Sequence, residues 1–208
     1  MTFSLDEMTG IQAIERAMPD IPMKSGRCVK AEFEYIRHGT QALIASFNVV
    51  TGRIDQADVG DTRTEKDLDV HLRAVVAQCP DAPKIHVVMD CLNTHQSEAV
   101  VRIAAELEPE PLELGVKGKS GILKSIFTRT QFLKDPTHRL VVHLTPKHCS
   151  WLNQIEIWFS ILVRKLLRRS SFTSKAQLKA RILNFIAYFN RTMAKPFKWT
   201  YKGKPLVA

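Results

Sequence analysis

The hydrophobic period of the chain changes several times, and the order of those changes limits the folds open to it. Thr2 to Leu5 alternates and runs into Asp6-Glu7, the pattern of a short strand ending in carboxylates. A loop punctuated by Pro19, Pro22 and Gly26 follows. Gln41 to Val50 is a long apolar run, then Thr51-Gly52, then Arg53 to Val59, which reads as strand, turn, strand. Thr64 to Gln78 shifts to helical spacing through Leu68, Leu72, Val75 and Val76, with Thr64 and Asp67 placed to cap its start. Lys84 to Asp90 is a strand that ends in a carboxylate, and Ala99, Val100, Ile103, Ala104 and Leu107 form one face of a helix that Pro109 and Pro111 end. Gly115 to Thr137 is rich in Gly and Lys and reads as a flexible, solvated loop. Arg139 to Thr145 is a strand, and Ser150–Arg169 and Ser174–Asn190 are amphipathic helices.

Strands and helices thus alternate after an opening meander. That order predicts an α/β domain with a mixed five-stranded sheet and helices on both faces. A ribonuclease-H-like fold has this order, and on element order alone a flavodoxin-like domain fits almost as well. The length suits one domain with a proper core. The most apolar run, Ile155 to Val163, is short and carries Glu156 and Ser160, so no membrane span is expected. The start, MTFSLDEMTG, is acidic and lacks a signal peptide's basic region. Cys28, Cys79, Cys91 and Cys149 form no C-x-x-C pair and read as free thiols in a reducing, cytoplasmic setting.

Charge divides the chain. Residues 1–114 hold 11 basic and 19 acidic side chains, whereas residues 115–208 hold 19 basic and 2 acidic ones. The second half is therefore built to meet a polyanion. Glu156 is one of its two acids and falls within the apolar stripe Leu152, Ile155, Phe159, Leu162, Val163 and Leu166, toward one edge. A carboxylate there loses hydration and must find a cation or raise its pKa. A nearby Lys or Arg would serve, and so would a metal ion shared with other acids. Asp6 and Asp90, at two predicted strand ends, are the candidates to share it. Such carboxylates hold hard divalent cations, and a pair of ions can stabilise both the attacking and leaving oxygens of a phosphodiester displacement.

Three stretches make this scheme specific: LDEMTGIQAIER (Leu5 to Arg16), VVMDCLNTH (Val87 to His95), and LTPKHCSWLNQIEIWFSILVRKLLRRSSFTS (Leu144 to Ser174) continuing into FNRTMAKPFKWTYKGKPL (Phe189 to Leu206). Together they resemble the DDE catalytic domain of bacterial insertion-sequence transposases related to the mariner-like group, over essentially all of residues 1–208. The resemblance implies a ribonuclease-H-like core over about residues 1–190, a basic insertion at about 115–137 and a C-terminal tail at 191–208. It implies that Asp6, Asp90 and Glu156 are catalytic and hold two Mg²⁺ or Mn²⁺ ions, with Asn93, His95 and Asn153 in support. It further implies hydrolysis at transposon ends followed by attack of the freed 3′-hydroxyl on target DNA. A nucleoid-associated protein working as a homodimer on paired ends is expected.

The basic residues expected to meet DNA are Lys117, Lys119, Lys147, His148, Arg164, Lys165, Arg168 and Arg169. Trp199 and Tyr201 in the tail are expected to pack rather than stack on bases. Cys91 stands where the family has Asn, and Cys149 where a small residue is usual. Relatives carry a helix-turn-helix region ahead of the first aspartate; here Asp6 follows only five residues, so a separate helix-turn-helix polypeptide is the expected partner. Two other readings stand beside this one: a relative that binds DNA without cutting it, and a ribonuclease-H-like nuclease on RNA–DNA hybrids. Gly118-Lys119-Ser120 is not a phosphate-binding loop, because that motif needs Gly at position 113 and the chain has Glu113. His143, His148 and Cys149 lack the second ligand pair of a zinc site.

Overall fold

Five strands form one sheet in the order β3-β2-β1-β4-β5, in a computed structural model that describes residues 1–146 and 149–196. The strands are β1 (Thr2–Arg16), β2 (Tyr35–Asn48), β3 (Arg53–Gly60), β4 (Ile85–Met89) and β5 (Leu140–Leu144). β1–β2 and β2–β3 are antiparallel, while β1–β4 and β4–β5 are parallel. Helices α1 (Glu65–Ala77), α2 (Glu98–Glu106), α3 (Ile126–Leu133), α4 (Ile155–Lys165) and α5 (Lys175–Thr192) complete the fold. A three-strand meander followed by two parallel strands, with helices on both faces, is the ribonuclease-H-like arrangement expected.

The sheet separates two cores. Phe3, Leu5, Ile85, Val87, Met89, Leu140 and Val142 meet Leu68, Leu72, Val75, Val100, Val101 and Ile103 of α1 and α2 on one face. Ile11, Ala13, Leu43, Ala45 and Phe47 meet Ile155, Trp158, Phe159, Leu162, Leu178, Ile182 and Phe189 of α4 and α5 on the other. Strand alternation alone would put Phe3, Leu5, Ile11 and Ala13 on one face. A bulge reverses them: Met8 pairs with Leu43 but Ile11 with Gln41, and Gly10 lies at φ 66°. Beyond the bulge β1 thus serves the α4–α5 core, which lets one strand belong to both.

β1 extends well past the predicted Thr2–Leu5. Its second half, Asp6 to Arg16, is too polar to read as a strand and is held in the sheet by its ladder with β2. Asp6 therefore lies inside a strand and not at its end. It still projects past the parallel pairing, which covers only Thr2 to Ser4 against His86 to Val88.

The second correction concerns residues 115–137, expected to be a solvated loop. They contain α3, whose Ser125 and Thr128 form a reciprocal N-terminal cap, and Leu123 and Leu133 are buried in the first core. The buried Arg129 guanidinium donates to the carbonyls of Gln96 (2.7 Å) and Leu123 (3.3 Å). The apolar positions are few and the helix short, so no period stood out.

The third correction shortens the helix expected at Ser150–Arg169. Only Ile155–Lys165 is α-helical, flanked by single turns at Ser150–Leu152 and Leu167–Arg169. Asn153 is extended at ψ 112°, because its side chain is engaged with β1. The buried stripe is Ile155, Trp158, Phe159, Leu162 and Leu166, so Trp158 replaces Leu152 and Val163 at its centre.

A buried polar set fixes α1 to the sheet. His71 Nε2 lies 2.8 Å from Ser46 Oγ, and its Nδ1 2.6 Å from Asp58 Oδ2. This is the order of a hydrolase triad, but Ser46 and His71 are both 0% exposed, so no substrate reaches the hydroxyl.

Candidate active site

β1 and β4 are adjacent parallel strands, and each carries an aspartate at or beyond the end of their shared ladder. One oxygen of Asp6, one of Asp90 and a ring nitrogen of His95 lie within 4.8 Å of one another. Asp6 is 4% exposed. Its Oδ1 accepts the Glu7 N–H at 2.8 Å, and its Oδ2 accepts from Asn153 Nδ2 at 3.3 Å. Burial, with the charge of Asp90 nearby, pushes the Asp6 carboxyl up to about 7, against the lowering effect of the Glu7 N–H and His95. Asp90 goes the other way. The His95 hydrogen bond outweighs burial and, with the Leu92 N–H, holds its carboxyl below the ordinary range.

His95 is 0% exposed and sits in the short turn Thr94–Gln96 before α2. Its Nδ1 lies 2.7 Å from Asp90 Oδ1, and its Nε2 3.1 Å from Glu7 Oε2. Burial disfavours the charged ring, but hydrogen bonds to the two carboxylates override it and raise the imidazolium to about 10. With both nitrogens facing carboxylates, the ring is a cation among acids and not a metal donor. The atoms left to hold a cation are carboxylate oxygens, which suit a hard ion such as Mg²⁺ or Mn²⁺.

Glu156 stands outside that tight group, in the first turn of α4. It is half-buried, and burial together with the charge of Asp90 raises its carboxyl above the ordinary range. Among the described residues no Lys or Arg forms an ion pair with Asp6, Asp90 or Glu156. Carboxylates without an intramolecular Lys or Arg, two of them, Asp6 and Glu156, with raised proton affinity, are the donor chemistry a divalent ion completes.

Asn153 joins α4 to β1. It is 0% exposed, its Nδ2 donates to the Leu5 carbonyl at 2.8 Å, and its Oδ1 accepts from Ser4 Oγ. Ser4 Oγ in turn accepts the Ile155 N–H at 2.8 Å. One buried amide thereby sets where the Glu156 helix begins relative to the Asp6 strand. Asn93 is exposed and makes no side-chain capping hydrogen bond. Cys91 Sγ donates to the Thr145 carbonyl at 3.1 Å.

Two residues escaped the sequence reading. Ser4 carries no distinguishing pattern. Glu7 did carry a signal: a strand sends Asp6 and Glu7 to opposite faces, so Glu7 had to find a partner away from Asn153.

The basic residues divide. Arg164 lines a groove of about 770 Å³ with Glu7, Met8, Thr9, Glu156 and Ser160. Its Nε donates to the Ser160 carbonyl at 3.2 Å. Lys165, Arg168 and Arg169 are exposed at the C-terminal end of α4, where cations also suit the helix dipole. Lys117 lies 3.7 Å from both Glu65 and Glu98, so its charge is shared with carboxylates of this chain. Lys119 is exposed. Lys147, His148, Trp199 and Tyr201 lie outside the described residues.

The Asp6 shift has a measurable consequence. Its folded value, about 7, lies above the ordinary 3.8, so its neutral form favours folding. That contribution is complete below about pH 4 and is lost as pH climbs through about 7. In EDTA, from pH 5 to pH 8, wild type should lose about 2 kcal/mol relative to Asp6→Asn in urea unfolding. Added Mn²⁺ should restore wild type at pH 8 and leave Asp6→Asn unchanged.

Among the described residues no helix is long and apolar enough to cross a membrane. A comparison with curated proteins gives no match. Among solved structures, the Mos1 mariner paired-end complex with Mn is similar at 12% identity and a TM-score of 0.36, covering 91% of this chain and 54% of that one. The chain thus spans about half the length of that structure's chain. The profile of the DDE superfamily endonucleases matches residues 2–179, from the start of β1 into α5. That span includes Asp6, Asp90 and Glu156 with every residue that holds them in place, and the chain belongs to the DDE superfamily of endonucleases.

Proposed function

We propose that this endonuclease is a transposase catalytic domain, hydrolysing DNA phosphodiesters at transposon ends and transferring the freed 3′-hydroxyl into target DNA. The observation that carries this reading is the meeting of Asp6 and Asp90 from adjacent parallel strands, with Glu156 on a helix tied to the same strand through Asn153. Asp6, Asp90 and Glu156 would hold two divalent ions, Mg²⁺ or Mn²⁺. When bound, such ions polarise the scissile phosphate and lower the pKa of the attacking water or 3′-hydroxyl.

The remaining work falls to the chain. Asn153 and the Glu7 N–H orient Asp6, while His95 and the Leu92 N–H orient Asp90. Arg164, in the groove beside Glu156, is placed to take a DNA phosphate, and Lys165, Arg168 and Arg169 extend that basic surface. Lys119 is a further candidate for phosphate contact, Lys117 less so given its acidic neighbours. End recognition by a helix-turn-helix polypeptide, and pairing of two copies on two ends at the bacterial nucleoid, complete the proposal.

The direct test is incubation of the purified chain with supercoiled plasmid and with an RNA–DNA hybrid, in Mn²⁺ or in EDTA. The proposal expects nicking of the plasmid in Mn²⁺ alone, with the hybrid cut no faster. Preferential cleavage of the hybrid would assign the ribonuclease reading instead. Salt-sensitive binding without any cleavage would leave only a DNA-binding relative.

A further inference from the structure

Neighbouring residues of a strand face opposite ways. Ser4 and Asp6 meet Asn153 on the α4 side of the sheet, whereas Glu7 meets His95 on the other. The Glu7 side chain is 1% exposed and that of His95 0%. A carboxylate removed this far from water is costly unless paired and hydrogen-bonded. Among the described residues, His95 is the only charged group paired with Glu7.

The contact continues into the site. His95 Nδ1 has two acceptors within reach, Asp90 Oδ1 at 2.7 Å and the Asp90 carbonyl at 3.2 Å. The carboxylate is the nearer of the two, and the ring is held at its far end by Glu7 Oε2 at 3.1 Å. Asp90 Oδ1 also accepts the Leu92 N–H at 2.9 Å. One oxygen of Asp90 is thereby fixed from two directions, and Oδ2 has no hydrogen-bond donor among the described residues.

We propose that Glu7 is a positioning residue, which through His95 fixes the Asp90 carboxylate so that its second oxygen is presented to a divalent ion. The inference rests on the reading of Asp6 and Asp90 as metal-holding groups. Partners behind a ligand commonly change metal affinity by 10- to 100-fold. Here the partner is two side chains behind the ligand, and the lower end of that range applies.

The role is one of reach, and two substitutions separate reach from charge. Glu7→Gln keeps the length and an acceptor oxygen for the His95 Nε2–H. Glu7→Asp keeps the charge but is one methylene too short. The test is titration of the full chain with Mn²⁺, free ion read by electron paramagnetic resonance, without DNA. Glu7→Asp should weaken Mn²⁺ binding about tenfold and Glu7→Gln less than about threefold. Urea unfolding of both variants should show that they fold.

Glu7→Asp binding Mn²⁺ as wild type does, or Glu7→Gln binding as weakly as Glu7→Asp, would overturn the proposal. Asp90→Ala is measured alongside. If it binds Mn²⁺ as tightly as wild type, the metal reading fails and takes the Glu7 inference with it. If Asp90→Ala loses binding while Glu7→Asp does not, only the Glu7 inference falls.

Discussion

Asp90→Ala should reduce Mn²⁺-dependent plasmid nicking by about a thousandfold or more, a barrier increase of about 4 kcal/mol. Asp90 supplies an oxygen within 4.8 Å of one from Asp6, and its Oδ2 has no hydrogen-bond donor among the described residues. No other described carboxylate joins that tight group, so none substitutes for it. Folding should survive, because Asp90 is partly exposed and His95 keeps Glu7 as a partner. DNA binding should also survive with its salt dependence intact, since the basic residues of α4 lie on another element. Stopped-assay nicking rates, with gel shifts at two salt concentrations, check both parts.

Asn153→Leu is expected to be the most destabilising change near the site, costing about 2–4 kcal/mol in urea unfolding. Leucine is close in shape but leaves the Leu5 carbonyl and the Ser4 hydroxyl without the partner they have now. Both lie in the interior, where an unpaired polar group carries its full desolvation cost. The loss is also functional. Asp6 loses the donor on its Oδ2, and the start of α4 loses one of its ties to β1, the bond to the Leu5 carbonyl, which loosens the placement of Glu156 relative to the Asp6 strand. Nicking should therefore fall even where the variant remains folded. Asn93→Ala provides the contrast: exposed and without a side-chain cap bond, it should shift stability by less than about 0.5 kcal/mol.

These two asparagines also show what the sequence made legible. Both stand in recognisable motifs, yet only the three-dimensional pairing separates the buried amide from the exposed one. The element order was readable because β4, α1, α2, β5, α4 and α5 each carry a clean hydrophobic period. The second half of β1 was not, since Met8 to Arg16 owes its extended form to β2 and to a bulge at Gly10, neither of which leaves a period. α3 was missed for a related reason: it is eight residues long, and what fixes it is a cap and two buried leucines at its flanks.

In the site, Glu156 was legible as a carboxylate set against an apolar stripe in a basic region. Its place proved to be the edge of that stripe, because Trp158 takes the centre. The link from Glu7 through His95 to Asp90 spans 83 residues of sequence between Asp90 and Glu7, and only the adjacency of β1 and β4 closes it. The charge division was legible throughout, but the ion pairs of Lys117 with Glu65 and Glu98 were not, because the acidic partners sit at the starts of two other helices.

Asp6, Asp90 and Glu156 are proposed to act as one metal-dependent cutting site. The most direct measurement is the nicking rate of supercoiled DNA by wild type and Glu156→Gln, in Mn²⁺ and in EDTA, at equal DNA occupancy. Glutamine preserves the shape of α4 and removes the charge. Wild type should cleave in Mn²⁺ and not in EDTA, and Glu156→Gln should lose at least about a hundredfold in rate. Nicking by Glu156→Gln at the wild-type rate, or nicking that persists in EDTA, would contradict that proposal.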